Sequence, residues 1–205
     1  MLGPTELFTA LFITLGPLEV FAPFAAQTRD LPPAAIRGIA LRVFVLSVVA
    51  LGAGGWIGRS TVIHWNVSTP ALLIAGGVIL FLVALRIVLQ PYDPAPRAPH
   101  VALPAAPLAA ALQFAFPSVI TPYGVAVLIA MLAATQDTVR IALIFAIALG
   151  VLALDLLAML FARIVMRGGV LLGMRLLGAV MAVLQVALAV QMILRALAQL
   201  GLIVG

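Results

Sequence analysis

Two prolines lie in the middle of apolar stretches that are each long enough to cross a membrane: Pro17, which follows Gly16, and Pro122, which follows Thr121. A proline inside a helix lacks a backbone donor and clashes with the preceding turn, so each stretch is expected to break there. Gly16 and Thr121 suit the N-cap, and proline suits the first helical position. Each break is therefore predicted to expose N–H groups and a positive dipole end that can bind a carboxylate. Ordinary proline kinks without a ligand are the alternative.

Two acidic residues, Glu19 and Asp155, lie deep in the apolar stretches. An ionised carboxylate inside a bilayer is costly unless it is paired or protonated, so each needs an explanation. Glu19 is the third residue of the half-helix predicted to begin at Pro17, where it can cap backbone N–H groups, carry a coupling proton or bind a substrate ammonium group. Asp155 is a second candidate for proton coupling, and an ion pair with a cytoplasmic arginine is its structural alternative.

Uncharged polar side chains are few in the apolar stretches, too few to line a wide water-filled pore. Gln113, Gln185 and Gln191 are expected to form hydrogen bonds between helices. Ser118 and Tyr123 flank the second break and are predicted ligand contacts. The predicted substrate-binding residues around the two breaks are Gly16, Pro17, Glu19, Ser118, Thr121, Pro122, Tyr123 and Gly124.

Catalytic and metal-binding patterns are missing from the sequence. There are no cysteines, and His64 and His100 are far apart with no metal-ligand spacing around them. No nucleophile elbow, phosphate loop or paired metal-binding histidines occur. The sequence therefore predicts no enzyme, no metal site and no cofactor.

The composition indicates the elements that must position these residues. The chain has 205 residues, of which 65% are hydrophobic and 8% charged, and a soluble domain of this size cannot bury so much apolar surface. All eleven basic residues are arginines, and this small number fits flanks that face anionic lipid better than a nucleic-acid surface. We therefore expect one integral membrane domain that binds no nucleic acid.

Spans of about 20 apolar residues divide the chain into six predicted transmembrane helices. Most of the eleven arginines lie in or beside the loops after the first, third and fifth helices, and cytoplasmic loops are enriched in such residues. Both termini are therefore predicted to face away from the cytoplasm. The predicted helices cover residues 5–28, 37–58, 70–90, 108–134, 139–163 and 176–199.

Three predicted helices precede a proline-rich linker at 91–107, and three follow it. Because each half has an odd number of spans, the second half must enter the membrane upside down relative to the first. TLGPLEVFAPFAAQTRD (14–30) also has a loose counterpart in VITPYGVAVLIAMLAATQD (119–137). The sequence thus predicts an all-α membrane protein of two inverted three-helix repeats, about 1–90 and 108–205, with helices 1 and 4 broken at prolines.

Four segments resemble the MarC family, also described as six-span neutral amino acid transporters and grouped with LysE-type exporters. GPLEVFAPF resembles the family's D-P-x-G-x-x-P-x-F pattern, and IAGGVILFLVAL its A-G-G-x-x-L-F-L signature. FPSVITPYG resembles the family's P-x-x-x-G-P-G break, and AVQMILRAL its A-x-Q-x-I ending. The sequence departs from these patterns at the breaks: Gly16 replaces an acidic or amide residue, Glu19 and Thr121 replace glycines, and Pro23 is shifted by one position.

The resemblance implies a multi-pass protein of the bacterial inner membrane that moves glycine, alanine or other small neutral amino acids. The expected function is a secondary transporter that alternates access around a midplane site at the two half-helix N-termini, with a coupling proton or sodium ion. One alternative is an exporter of an inorganic ion or toxic solute, which the relation to LysE-type exporters favours. The other is a membrane scaffold without transport. A homo-oligomer is compatible with each.

Overall fold

The computed structural model describes residues 3–89, 106–165 and 170–203 of the chain. Most of the predicted linker 91–107 lies outside the described residues, so its predicted role is untested. Within the helices, the side chains at 6, 18, 19, 22, 86, 87, 117, 163–165, 170–179 and 181 also lie outside the description.

Every regular element in the described ranges is helical. The chain begins with α1 (Pro4–Leu15) and α2 (Pro17–Gln27), followed by α3 (Pro33–His64) and α4 (Thr69–Leu89). The second half has α5 (Pro107–Phe114), a π-helical turn (Ala115–Val119), α6 (Pro122–Ala133), α7 (Thr138–Val165) and α8 (Val170–Gln199). The predicted all-α class is confirmed, and the first and fourth predicted helices are each divided at the predicted proline.

The long helix α3 has 32 residues and extends beyond the predicted 37–58 at both ends. Its start is earlier because Pro32 and Pro33 occupy the N-cap and first helical positions, which proline tolerates. At its other end, Arg59 Nε donates to the carbonyl of Leu132 at 2.9 Å, and Arg59 Nη2 donates to the carbonyl of Thr135 at 3.2 Å. These bonds hold the last turns of α3 against the C-terminus of α6, where a cation is favourable.

Among the described residues, three helical segments are long and apolar enough to cross a membrane: α3, residues Thr138–Ala162 of α7 and residues Ala182–Gln199 of α8. Shorter apolar helices cover Thr69–Leu85 and Pro122–Ala133. One face of α3 packs into the protein, whereas the opposite face presents large apolar side chains outward, as a lipid-facing helix does. The outward residues include Leu41, Val45, Val49 and Trp56, each at least half exposed.

The chain between α5 and α6 is distorted over the π-helical turn. Phe116 has non-helical angles (φ −123°, ψ 124°), and the N–H of Ile120 bonds to the carbonyl of Ala115 at 2.9 Å. The proline at 117 has no amide hydrogen, so an α-helical ladder cannot continue through this turn. Pro23, in contrast, lies within α2 without ending it.

The main helix contacts join the two halves of the chain. α4 has its most extensive contact with α8, while α1 and α2 pack against α7, and α3 packs against α5, the π-helical turn and α6. α4 and α8 approach closely at Gly77, where an added Cβ atom would lie 2.9 Å from the carbonyl oxygen of Ala189. Small residues allow such an approach between membrane helices. Neither half is therefore packed as a separate unit.

We expect Gly77→Ala to lower the free energy of unfolding by about 1–3 kcal/mol, because the methyl group forces α4 away from the backbone of α8. Gly54→Ala in α3 is the matched control, since a Cβ atom there meets nothing within 4 Å. The control is expected to be neutral or to stabilise α3 by up to about 1 kcal/mol. Thermal unfolding of both purified variants in detergent checks this, and equal midpoints would contradict the close approach of α4 and α8.

Candidate functional site

The first helix break frees backbone carbonyls in an apolar setting. Gly16 is extended (φ −82°, ψ 172°) between α1 and α2, and Pro17 is the first residue of α2. Because proline has no N–H, the carbonyl of Ile13 loses the partner that a continuous helix provides. The extended Gly16 also interrupts the ladder at the carbonyl of Thr14. A buried carbonyl without a partner costs about 1–3 kcal/mol, so both groups need donors from elsewhere.

The second half of the chain supplies both donors. The side-chain amide of Gln185, on α8, donates to the carbonyl of Ile13 at 3.2 Å. The hydroxyl of Thr121, at the second break, donates to the carbonyl of Thr14 at 2.7 Å. Thr14 directs its own hydroxyl to the carbonyl of Ala10 at 2.7 Å, so it does not compete. The first break is thus satisfied by side chains from the other half, and the interhelical bond expected of Gln185 is confirmed.

The second break is capped by the same threonine hydroxyl. Thr121 is extended (φ −83°, ψ 142°), and its Oγ1 atom accepts the N–H of Gly124 at 3.1 Å, while Pro122 is the first residue of α6. This confirms the predicted N-cap. A Cβ atom at Gly124 would overlap the side chain of Leu15, the last residue of α1. The end of α1 therefore packs directly on the first turn of α6.

A second set of contacts lies on the other side of the breaks. The rings of Phe24 and Phe114 are tilted by 59° with centroids 4.9 Å apart, and both side chains are fully buried. Beyond them, Gln113 Nε2 donates to Gln27 Oε1 at 3.4 Å. From the breaks outward, the contacts pair Thr14 with Thr121, Phe24 with Phe114 and Gln27 with Gln113. As the residue number rises in the first half, that of its partner in the second half falls. The two broken helices thus run antiparallel, with their breaks at the same level.

The structure brings some of the predicted site residues together. Thr121 and Gly124 share a hydrogen bond and contact the first break through Thr14 and Leu15. The remaining predicted residues differ in exposure: Gly16 and Tyr123 are buried, Pro17 and Ser118 are half-buried, and Pro122 is exposed.

Of the two deep carboxylates, the structure describes the side chain of Asp155 but not that of Glu19. Glu19 is the third residue of α2, as predicted, but its side chain lies outside the described residues. Asp155 lies on α7 and is 1% exposed, on a helix that packs against α1, α2 and α3. Binding and proton coupling by these two residues remain predictions.

A cavity of about 410 Å³ opens between the α4–α8 pair on one side and α1, α6 and α7 on the other. We call it the vestibule. It lies at the end of the bundle where α1 begins and α8 ends, on the opposite side of the breaks from the phenylalanine contact. Most of its wall is apolar, and its polar lining residues are Thr69, Thr135, Arg140, Arg195 and Gln199.

Sequence reasoning did not find the vestibule. From the sequence, Arg140 and Arg195 contribute only to the distribution of arginines that predicts the orientation, and a cavity between five helices has no local sequence pattern. Among the described residues, no group of three or more His, Asp or Glu side chains is arranged to hold a metal ion.

Long apolar helices with outward-facing apolar side chains, around two helix breaks buried in the bundle, define an integral membrane protein. The sequence profile of the MarC family of integral membrane proteins matches residues 4–200, nearly the whole chain. The chain belongs to this family. No curated protein and no solved structure matches it significantly.

We expect Thr121→Val to lower the free energy of unfolding by about 2 kcal/mol, because it removes the cap of α6 and leaves the carbonyl of Thr14 without a donor. Thr121→Ser keeps the hydroxyl and is expected to cost less than about 1 kcal/mol. Chemical or thermal unfolding of the two variants in detergent distinguishes them. If valine and serine were equally tolerated, the hydroxyl would not be what joins the two breaks.

Proposed function

We propose that the chain is a secondary transporter of small neutral amino acids or related small metabolites across the bacterial inner membrane. The observation that carries the proposal is the meeting of the two helix breaks at one level, joined by the hydrogen bond from Thr121 to Thr14. Interrupted helices whose ends meet inside a membrane protein are typical of transporter binding sites. A scaffold has no need for two broken helices held in register.

The transmembrane arrangement that we propose is six spans in two inverted repeats. The antiparallel course of the two broken helices supports it, because an inverted repeat relates them by a two-fold axis in the membrane plane. The packing follows the same rule, since each broken helix packs against the helix that follows the broken helix in the other half: the first against α7 and the second against α3. The spacing of helix starts is also the same in the two halves. The number of residues from Pro17, the start of α2, to Pro33, the start of α3, equals the number from Pro122, the start of α6, to Thr138, the start of α7.

Alternating access is supported by the difference between the two sides of the breaks. The vestibule opens on one side, whereas the buried Phe24–Phe114 pair and the Gln27–Gln113 contact close the other. Exchange between this arrangement and its opposite is the proposed transport cycle. Because the most extensive contact of α4 is with α8, movement of these two helices together preserves more packing than movement of one half against the other.

At the breaks, α2 offers the better site for a substrate carboxylate. The N-cap Gly16 contributes no side-chain hydrogen bond to α2, whereas Thr121 already occupies one N–H group of α6. In the proposal, Glu19 binds the substrate ammonium group or carries the coupling proton, and Asp155 is the second proton-coupling candidate. Ser118 and Tyr123 contact the substrate from the second break. The coupling ion is a proton or sodium.

Uptake of labelled alanine into proteoliposomes preloaded with unlabelled alanine tests the proposal. We expect counterflow above that of protein-free liposomes, with competition by glycine and serine. Glu19→Gln is expected to flatten the pH dependence of uptake, while Glu6→Gln, the same change in the first turn of α1, leaves it intact. Unchanged pH dependence in Glu19→Gln would remove this residue from coupling. Movement of an inorganic ion without amino acids would favour the exporter, and no transported solute would favour the scaffold.

Orientation in the membrane has its own test, which the absence of natural cysteines makes direct. We expect Leu202→Cys, near the C-terminus, to react with a membrane-impermeant maleimide in intact spheroplasts. Asp30→Cys, in the exposed turn after α2, is expected to react only after permeabilisation. The reverse pattern would mean that both termini face the cytoplasm.

A further inference from the structure

The vestibule has apolar walls and a positively charged lining. Its inner part is formed by side chains such as Leu7, Leu73, Ile144, Leu188 and Met192. These exclude water from part of the cavity and lower the local dielectric constant, so a charge in the lining acts over a longer distance than it does in bulk water. A cavity of this size falls within the range of small-molecule sites, about 300–1,000 Å³.

Two arginines give the vestibule its charge. Arg140 lies in the first turn of α7 and Arg195 near the C-terminal end of α8, so the two project from opposite walls. Arg195 forms no hydrogen bond or ion pair with any described residue. None of the described side chains that line the vestibule is acidic. The lining therefore attracts anions and offers an ammonium group no carboxylate to pair with.

The inner end of the vestibule lies close to the helix breaks. Ala10, which lines it on α1, accepts the hydrogen bond from the Thr14 hydroxyl, and the Thr14 carbonyl in turn accepts the hydrogen bond from Thr121. Val127 lines the same side of the vestibule on α6, less than two turns after Thr121. A solute in the vestibule is thus separated from the breaks by one or two helical turns.

We propose that the vestibule is an access site for a small carboxylate with an apolar body, which the arginines draw in before it reaches the breaks. Arginine suits this task because its planar guanidinium group forms paired hydrogen bonds with a carboxylate. Selection here is for the carboxylate alone, and recognition of an ammonium group is left to the breaks. The inference rests on the proposed transport function and adds the class of solute that the access path accepts, including monocarboxylates without an amino group.

Thermal stabilisation of the purified full-length protein in a non-ionic detergent at low ionic strength tests the inference, because a ligand of the folded state raises its stability. The probes are propionate, alanine, ethylammonium and inorganic phosphate. Arg195→Gln is the test variant. Arg37→Gln is the matched control, since Arg37 is an exposed arginine at the start of α3 that does not line the vestibule.

We expect propionate to stabilise the wild type and Arg37→Gln alike, and ethylammonium to stabilise neither. In Arg195→Gln, the propionate concentration for half-maximal stabilisation is expected to rise about tenfold, with a smaller rise in Arg195→Lys. Added salt should weaken propionate binding to the wild type more than to Arg195→Gln, because exposed charges are screened.

Three results would overturn the inference: no stabilisation by propionate, equal propionate binding in Arg195→Gln and Arg37→Gln, or phosphate binding as strong as that of propionate with the same dependence on Arg195. The last indicates a general anion or lipid-phosphate site. Alanine counterflow that persists alongside any of these leaves the proposed function standing. Conversely, propionate binding that depends on Arg195, in a protein that transports no solute, supports the vestibule and refutes transport.

Discussion

Inside a bilayer, every backbone carbonyl and amide must find a partner within the protein, and this requirement organises the centre of the molecule. The break between α1 and α2 leaves the carbonyls of Ile13 and Thr14 without helical partners, and side chains from the second half of the chain bind both. Thr121 contributes most because its hydroxyl donates to α1 and caps α6 at once. The two halves must therefore be in register for the first break to be tolerated.

Packing between the halves follows from the same requirement. The broken helices meet at their breaks, and each packs against an unbroken helix from the other half of the chain: the first against α7 and the second against α3. α4 and α8 pack against each other. The glycine at 77 permits the close contact of that pair, and the glycine at 124 permits the contact at the breaks. Opposite the vestibule, Phe24 and Phe114 close the bundle. The vestibule thus opens on one side of the breaks, and a buried aromatic contact lies on the other.

Local chemistry explains what could be predicted from the sequence. The effect of proline on a helix depends on a few neighbouring residues. The sequence therefore predicts both breaks, the cap at Thr121 and the position of Glu19 as the third residue of its half-helix. The partners of Ile13 and Thr14 were not, because a donor more than a hundred residues away leaves no local pattern. The C-terminal extension of α3 is held by the bonds of Arg59 to α6, and the vestibule is formed by five helices, so neither could be predicted without the fold.

The pairing of α4 with α8 also constrains how the protein is made. The face of α4 around Gly77 contacts α8, which follows it by about a hundred residues in the sequence. During synthesis that face is exposed to lipid or to the insertion machinery until α8 has been translated. A chain truncated before α8 lacks both this contact and the amide of Gln185 on the first break. Insertion of α8 is thus required before α4 and the first break have the partners that the fold gives them.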